Sequence, residues 1–145
     1  MNTEIARTSC SITYAHAEKH VDFRAARRGL IVTVADCIGI DHDGAPRLAG
    51  YGQLVPWSDA VDLCAALLGD DGDTYDRTTD DGLAARRVRV HRGPLGVFVG
   101  VRAAFHGDAD GFRARSATIP AAVAEEIAHA VAEMDARREA DPAKL

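Results

Sequence analysis

The chain has 145 residues, is 47% apolar and carries a formal charge of −5 at pH 7. One domain spanning 1–145, with 1–12 and 140–145 as loose ends, is expected from a length in the common domain range of about 100–150 residues. The acidic balance speaks against general affinity for nucleic acid. No apolar run reaches the roughly 18 residues of a membrane span, and three isolated cysteines without a C-x-x-C pair point to a reduced, cytoplasmic protein.

In chain order, a helix is expected over 13–28, with Tyr14, Ala17, Val21 and Ala25 on one face and Gly29 as its stop. Residues 30–40 (LIVTVADCIGI) read as a central strand, β-branched and apolar on both faces. Asp41-His42-Asp43-Gly44 supplies a turn, and 47–55 returns as a second strand. Pro56-Trp57-Ser58-Asp59 opens a helix whose buried stripe reads Val61, Cys64, Ala65 and Leu68. The segment 69–82 is polar and acidic and reads as a loop longer than the usual connection. Three alternating strands follow over 86–118, turning at 93–96 and at 107–110. Pro120 then starts a last helix, with Val123, Ile127, Ala130, Val131 and Met134 as its stripe. The resulting fold class is α+β: a single domain with a five-stranded antiparallel sheet, helices on both faces, and the order α-β-β-α-β-β-β-α.

Charge is unevenly placed. Six of the twelve residues in 70–81 are Asp, whereas 83–119 holds seven Arg against two Asp. With four-residue turns, Val90 pairs with Val99, Val88 with Val101, Phe105 with Phe112 and Ala103 with Ala114. That register places Arg87, Arg89, Arg102, Arg113 and Arg115 on one face, with Arg87 opposite Arg102 and Arg102 opposite Arg115. Like charges directly across strands repel, so a counter-charge is required. It comes either from the acidic segment 70–81 folding back over the face, or from a bound carboxylate or phosphate, which Arg recognises in bidentate fashion. Gly100 and Ala104 leave room among the arginines, and Phe98 offers a ring for stacking.

Other candidate chemistry is thinner. On a helix, His16 and His20 would share a face as two zinc ligands do, but no third ligand stands at useful spacing. The H-x-E of His16-Ala17-Glu18 lacks the P-C-x-x-C half of the zinc deaminase signature. Asp36 interrupts an apolar strand; unpaired and buried it would have a raised pKa suited to acid–base work, and otherwise it pairs with an arginine. Cys37 and Cys64 lack a neighbouring histidine or helix N-terminus to activate them. The segment from His106 to Gly111 lacks the ends of a calcium loop and reads as a turn. Gly50-Tyr51-Gly52 reads as a bend. No nucleotide-binding glycine motif is present, and no metal or cofactor is expected.

The element order, with the Asp41-His42-Asp43-Gly44 turn between the first two strands, resembles the profilin-like fold of the roadblock/LC7 proteins, and less closely the GAF and PAS-like sensor domains. The resemblance covers nearly the whole chain and implies a non-enzymatic, dimerising regulator or scaffold. The leading expectation is therefore a binding domain that recognises a protein partner or an anionic small molecule through the arginine face, as a homodimer. The alternative is a small enzyme using Asp36 or a histidine on an anionic substrate. Binding of nucleic-acid backbone ranks third.

Overall fold

The computed structural model describes residues 3–69, 74–108 and 111–140. Strands β1 (Thr3–Arg7), β2 (Ser11–His16), β3 (Lys19–Ala25), β4 (Gly29–Ile40) and β5 (Pro46–Pro56) form an antiparallel meander, adjacent in chain order. A 3-10 turn, Trp57–Asp59, leads into α1 (Ala60–Leu68). A second antiparallel meander follows, of β6 (Thr74–Asp80), β7 (Ala84–Gly93), β8 (Gly96–Phe105) and β9 (Phe112–Ile119). Helix α2 (Ala121–Ala140) closes the order.

The expected single five-stranded sheet with helices on both faces is thus replaced by two sheets and two helices. Part of the reason lies in 13–28, which is a hairpin and not a helix. Ile12 pairs with Phe23 and Tyr14 with Val21, and all four are buried. Tyr14 and Val21 fit both periods, and the alternation Ile12, Tyr14, then Val21, Phe23 is the one the chain obeys. Two residues, Ala17 and Glu18, make the turn, with Ala17 at φ 54°. Neither is the Gly, Asn or Asp that announces a tight hairpin, so the reversal is silent in the sequence. Once this hairpin forms, β4 and β5 find partners in the first sheet and not beside the arginine-bearing strands.

The segment 69–82 is the other correction. Its residues 74–80 form edge strand β6, which pairs with β7 along its whole length. Tyr75 is the residue of β6 that is buried. A strand that faces the core through one aromatic and otherwise carries Thr, Asp and Arg has almost no apolar alternation to read.

Buried residues from both sheets and both helices form one cluster, including Phe23 and Val32 from the first sheet, Val90 and Val99 from the second, Leu63 from α1 and Ile127 from α2. The helices pack on each other; α2 also meets β2, β3 and β8, and α1 meets β6 and β7. In α2 the expected stripe holds, since Val123, Ile127, Ala130, Val131 and Met134 are all buried. In α1 it is displaced by one position: Ala60, Leu63, Ala66 and Leu67 are buried, while Val61 is 74% exposed. Each fully buried leucine there contributes roughly 1.5–3 kcal/mol of burial free energy, which fixes the helix rotation.

The inner face of the first sheet changes character along its strands. Leu30, Val32 and Val34 on β4 are fully buried, and two residues further on the same row reaches Asp36, paired with Lys19 on β3 and Ala49 on β5. The core therefore grades into a charged margin where the two sheets approach through β4, β5, β8 and β9. No helix among the described residues is long and apolar enough to cross a membrane.

Candidate functional site

Which arginines share a face depends on two hairpin registers. Between β7 and β8, Val90 pairs with Val99, Val88 with Val101 and Arg87 with Arg102, as expected. Between β8 and β9 the register is one residue off the expected one: Ala104 pairs with Phe112, Arg102 with Ala114 and Val101 with Arg115. The N–H of Phe105 donates to the carbonyl of Gly111 at 2.8 Å, so five residues, 106–110, make the turn and not four. A one-residue slip moves every side chain of a strand to the other face. Arg113 and Arg115 consequently lie on the inner face, and Ala114 and Ser116 stand beside Arg102 and Gly100 on the outer one. The expected crowding of Arg102 against Arg115 does not occur.

The inner arginines are held by the rest of the protein. Arg115 Nη1 donates to Asp36 Oδ2 at 3.0 Å, and Lys19 Nζ lies 2.5 Å from Asp36 Oδ1. The Lys19 hydrogen bond, with the charges of Lys19 and Arg115 added, holds the Asp36 carboxyl below its ordinary value. That is opposite to the raised pKa an acid–base role requires, and Asp36 sits on the far side of the second sheet from its outer arginines. Asp36 thus converges with Arg115 and Lys19, and not with Arg87, Arg89 or Arg102. Arg86, also inward, donates to Asp81 Oδ2 at 2.8 Å and to Tyr51 Oη at 2.9 Å, with its guanidinium 5.7 Å from the Phe105 ring centroid. Arg113 Nη1 donates to the Phe112 carbonyl at 3.0 Å. A cleft of about 620 Å³ opens at this margin, lined by Tyr51, Phe105, Phe112, Arg113 and Arg115. Its cations are already engaged.

The outer face of the second sheet is different. Arg87 makes a two-point pair with Asp76 of β6, Nε donating to Oδ1 at 2.7 Å and Nη2 to Oδ2. That bond holds the Asp76 carboxyl below its ordinary value, and the charges of Arg89 and Arg102 push the same way. Arg89 and Arg102 are themselves exposed and make no hydrogen bond or ion pair among the described residues. Asp76, which lies opposite Arg89 in the ladder, therefore hydrogen-bonds one outer arginine and attracts the other two, from an adjacent strand and not from a loop laid over the face. Asp80 instead meets His106 at 2.8 Å and Asp81 meets Arg86. Asp70, Asp71 and Asp73 lie outside the described residues.

Between the two open arginines runs a groove of about 200 Å³, with Phe98, Gly100 and Ala114 among its lining. Gly100 pairs with Arg89 on one side and Ser116 on the other. Phe98 stacks on His91 with ring centroids 4.9 Å apart and planes 20° apart. Its ring also leans along the strand over Gly100, where an added Cβ would lie 2.7 Å from ring atom Cε1. A glycine in mid-strand packs nothing of its own; here its lack of a side chain is what lets the ring lie down. Phe98 and Gly100 were legible in the sequence as permissive features. Ala114 and Ser116 were not, because only the slipped register brings them to this face.

The remaining candidates disperse. His16 pairs with Lys19 and Ala15 with His20, so the two imidazoles leave the β2–β3 hairpin on opposite faces. Among the described residues no three His, Cys, Asp or Glu gather where they could hold a metal ion. Burial pushes the Cys64 thiol up to about 11, and its Sγ donates to the Ala128 carbonyl at 3.5 Å, which makes it a packing residue. Cys37 Sγ donates to the Gly39 carbonyl at 3.4 Å. The expected bend at Gly50-Tyr51-Gly52 is continuous β5 strand. His106 and Gly107 begin the β8–β9 turn, and Asp110 lies outside the described residues. Comparison of the chain with protein-family models and with curated proteins finds no match.

Proposed function

We propose that this chain is a non-enzymatic regulatory or scaffold domain that binds an anionic group, carried by a protein partner or a small molecule, on the outer face of its second sheet. One observation carries the reading. Arg89 and Arg102 stand exposed beside a groove, without a hydrogen-bonding partner among the described residues, while Arg87 on the same face and Arg86 and Arg115 on the inner one are each bound to a carboxylate. A guanidinium presents a planar fork of donors matched to carboxylate and phosphate. Mounted on a four-stranded sheet, two such forks are held by the backbone ladder and not by a mobile loop.

The test is a titration of isotope-labelled protein with inorganic phosphate, followed by NMR. Saturable shifts concentrated at the Arg89 and Arg102 side-chain N–H groups and the Gly100 amide are expected, and R89A/R102A abolishes them. Shifts spread evenly over all arginines, or unchanged by the double variant, would show that the face has no anion site.

A further inference from the structure

The outer groove offers more than charge. We infer that its preferred ligand is a single aromatic ring bearing a phosphate or carboxylate, the ring lying against Phe98 and the anion reaching Arg89 and Arg102. This rests on the anion-binding reading above and narrows it to a chemical class.

Size gives the first argument. The groove is about 200 Å³. A cavity of about 150 Å³ accommodates benzene, and drug-sized ligands occupy about 300–1,000 Å³. One ring with a short anionic substituent fills this volume, and a fused polycycle would extend beyond the groove into solvent. Shape gives the second. Phe98 is braced by His91 and leans over Gly100, so the groove has an aromatic wall, and beside it the floor carries only the short side chains of Ala114 and Ser116. Rings prefer offset-stacked or edge-on contact with such a wall. Charge gives the third. Arg89 lies across from Gly100 on β7, and Arg102 follows two residues after Gly100 on β8, so the cations flank the floor from two strands. An aliphatic anion would leave Phe98 unused, and a neutral ring would leave both guanidiniums unmatched.

Isothermal titration calorimetry with inorganic phosphate, phenyl phosphate and a blocked tripeptide centred on phosphotyrosine tests this. Phenyl phosphate is expected to bind at least about tenfold more tightly than inorganic phosphate. F98L is expected to erase that advantage while leaving the phosphate affinity within about twofold. A114W, at an exposed position paired with Arg102, gives a second check: its indole fills the floor and removes the same advantage, and the inorganic phosphate affinity of the same variant shows whether Arg102 has been displaced. If phenyl phosphate and phosphate bind equally, the ring inference is wrong and the anion site stands. If neither binds, the anion site itself is wrong. With the ring advantage in place, a tripeptide tighter than phenyl phosphate identifies the source as a modified protein side chain, and a weaker one identifies a free aromatic acid.

Discussion

Ala17 makes the β2–β3 turn at φ 54°, a region that costs a residue with a Cβ roughly 1–2 kcal/mol. Ala17→Gly removes that cost while adding some freedom to the unfolded chain. A net gain of about 1 kcal/mol is expected, read as a higher urea midpoint at unchanged slope. Asp36 illustrates the opposite sign. Its folded pKa lies below its ordinary value because of Lys19 and Arg115. The stabilisation is therefore present above the unfolded value of about 3.9 and is lost as pH falls through the folded one. Asp36→Asn should cost roughly 1 kcal/mol at neutral pH, and the gap between variant and parent should close on acidification. A gap that persists at pH 2 would mean that packing and not charge holds this margin. Residues whose role is a pairwise charge contact were visible in the sequence as types, but not as pairs. Asp36 within an apolar strand needs a partner, and nothing local names Arg115, 79 positions away.

Elements were legible where pattern and burial agree. The α2 stripe and the β7–β8 register follow from periodicity that the core enforces; β4 and β5 are legible as strands, although Ile31, Ile38 and Ile40 of β4 are exposed and only Gln53 and Val55 of β5 are buried. The failures share a cause: a weak or doubled period settled by contacts distant in sequence. The 13–28 segment satisfies both the helical and the strand period, β6 satisfies neither, and α1 has apolar residues on more than one side. The rotation of α1 makes a sharp prediction. Leu63→Ala should cost about 2–5 kcal/mol, because the side chain is fully buried in the shared core. Val61→Asp should fall within about 0.5 kcal/mol of neutral. Thermal denaturation of the two variants separates the observed rotation from the one that the stripe Val61, Cys64, Ala65, Leu68 implies, under which the costs would be reversed.

At the scale of the molecule, two meander-and-helix units share one core, so neither sheet has a separate apolar interior to retain when the other opens. Unfolding should be a single transition. Trp57, the chain's one tryptophan, is well placed to report it. Its indole N–H donates to the Ala26 carbonyl at 3.0 Å, and the Arg138 guanidinium of α2 lies 5.2 Å from its ring. Its fluorescence and the far-ultraviolet circular dichroism should trace the same curve; a fluorescence change preceding the loss of strand signal would show the units parting. The distribution of charge also bounds any contact with nucleic acid. Two open arginines correspond to a salt slope of only about −1.4 on a single strand, and a much steeper slope would require cations that are held internally here. The β8–β9 turn sets that distribution. Five residues between Phe105 and Gly111 direct Arg113 and Arg115 inward and Ala114 and Ser116 outward. Losing a single codon from this stretch would not be a neutral surface trim. If the strands re-paired, it would turn β9 over, strip Asp36 of its arginine partner and fill the groove with cations. Heritable length change in this turn should therefore be tolerated in steps of two residues and selected against in steps of one.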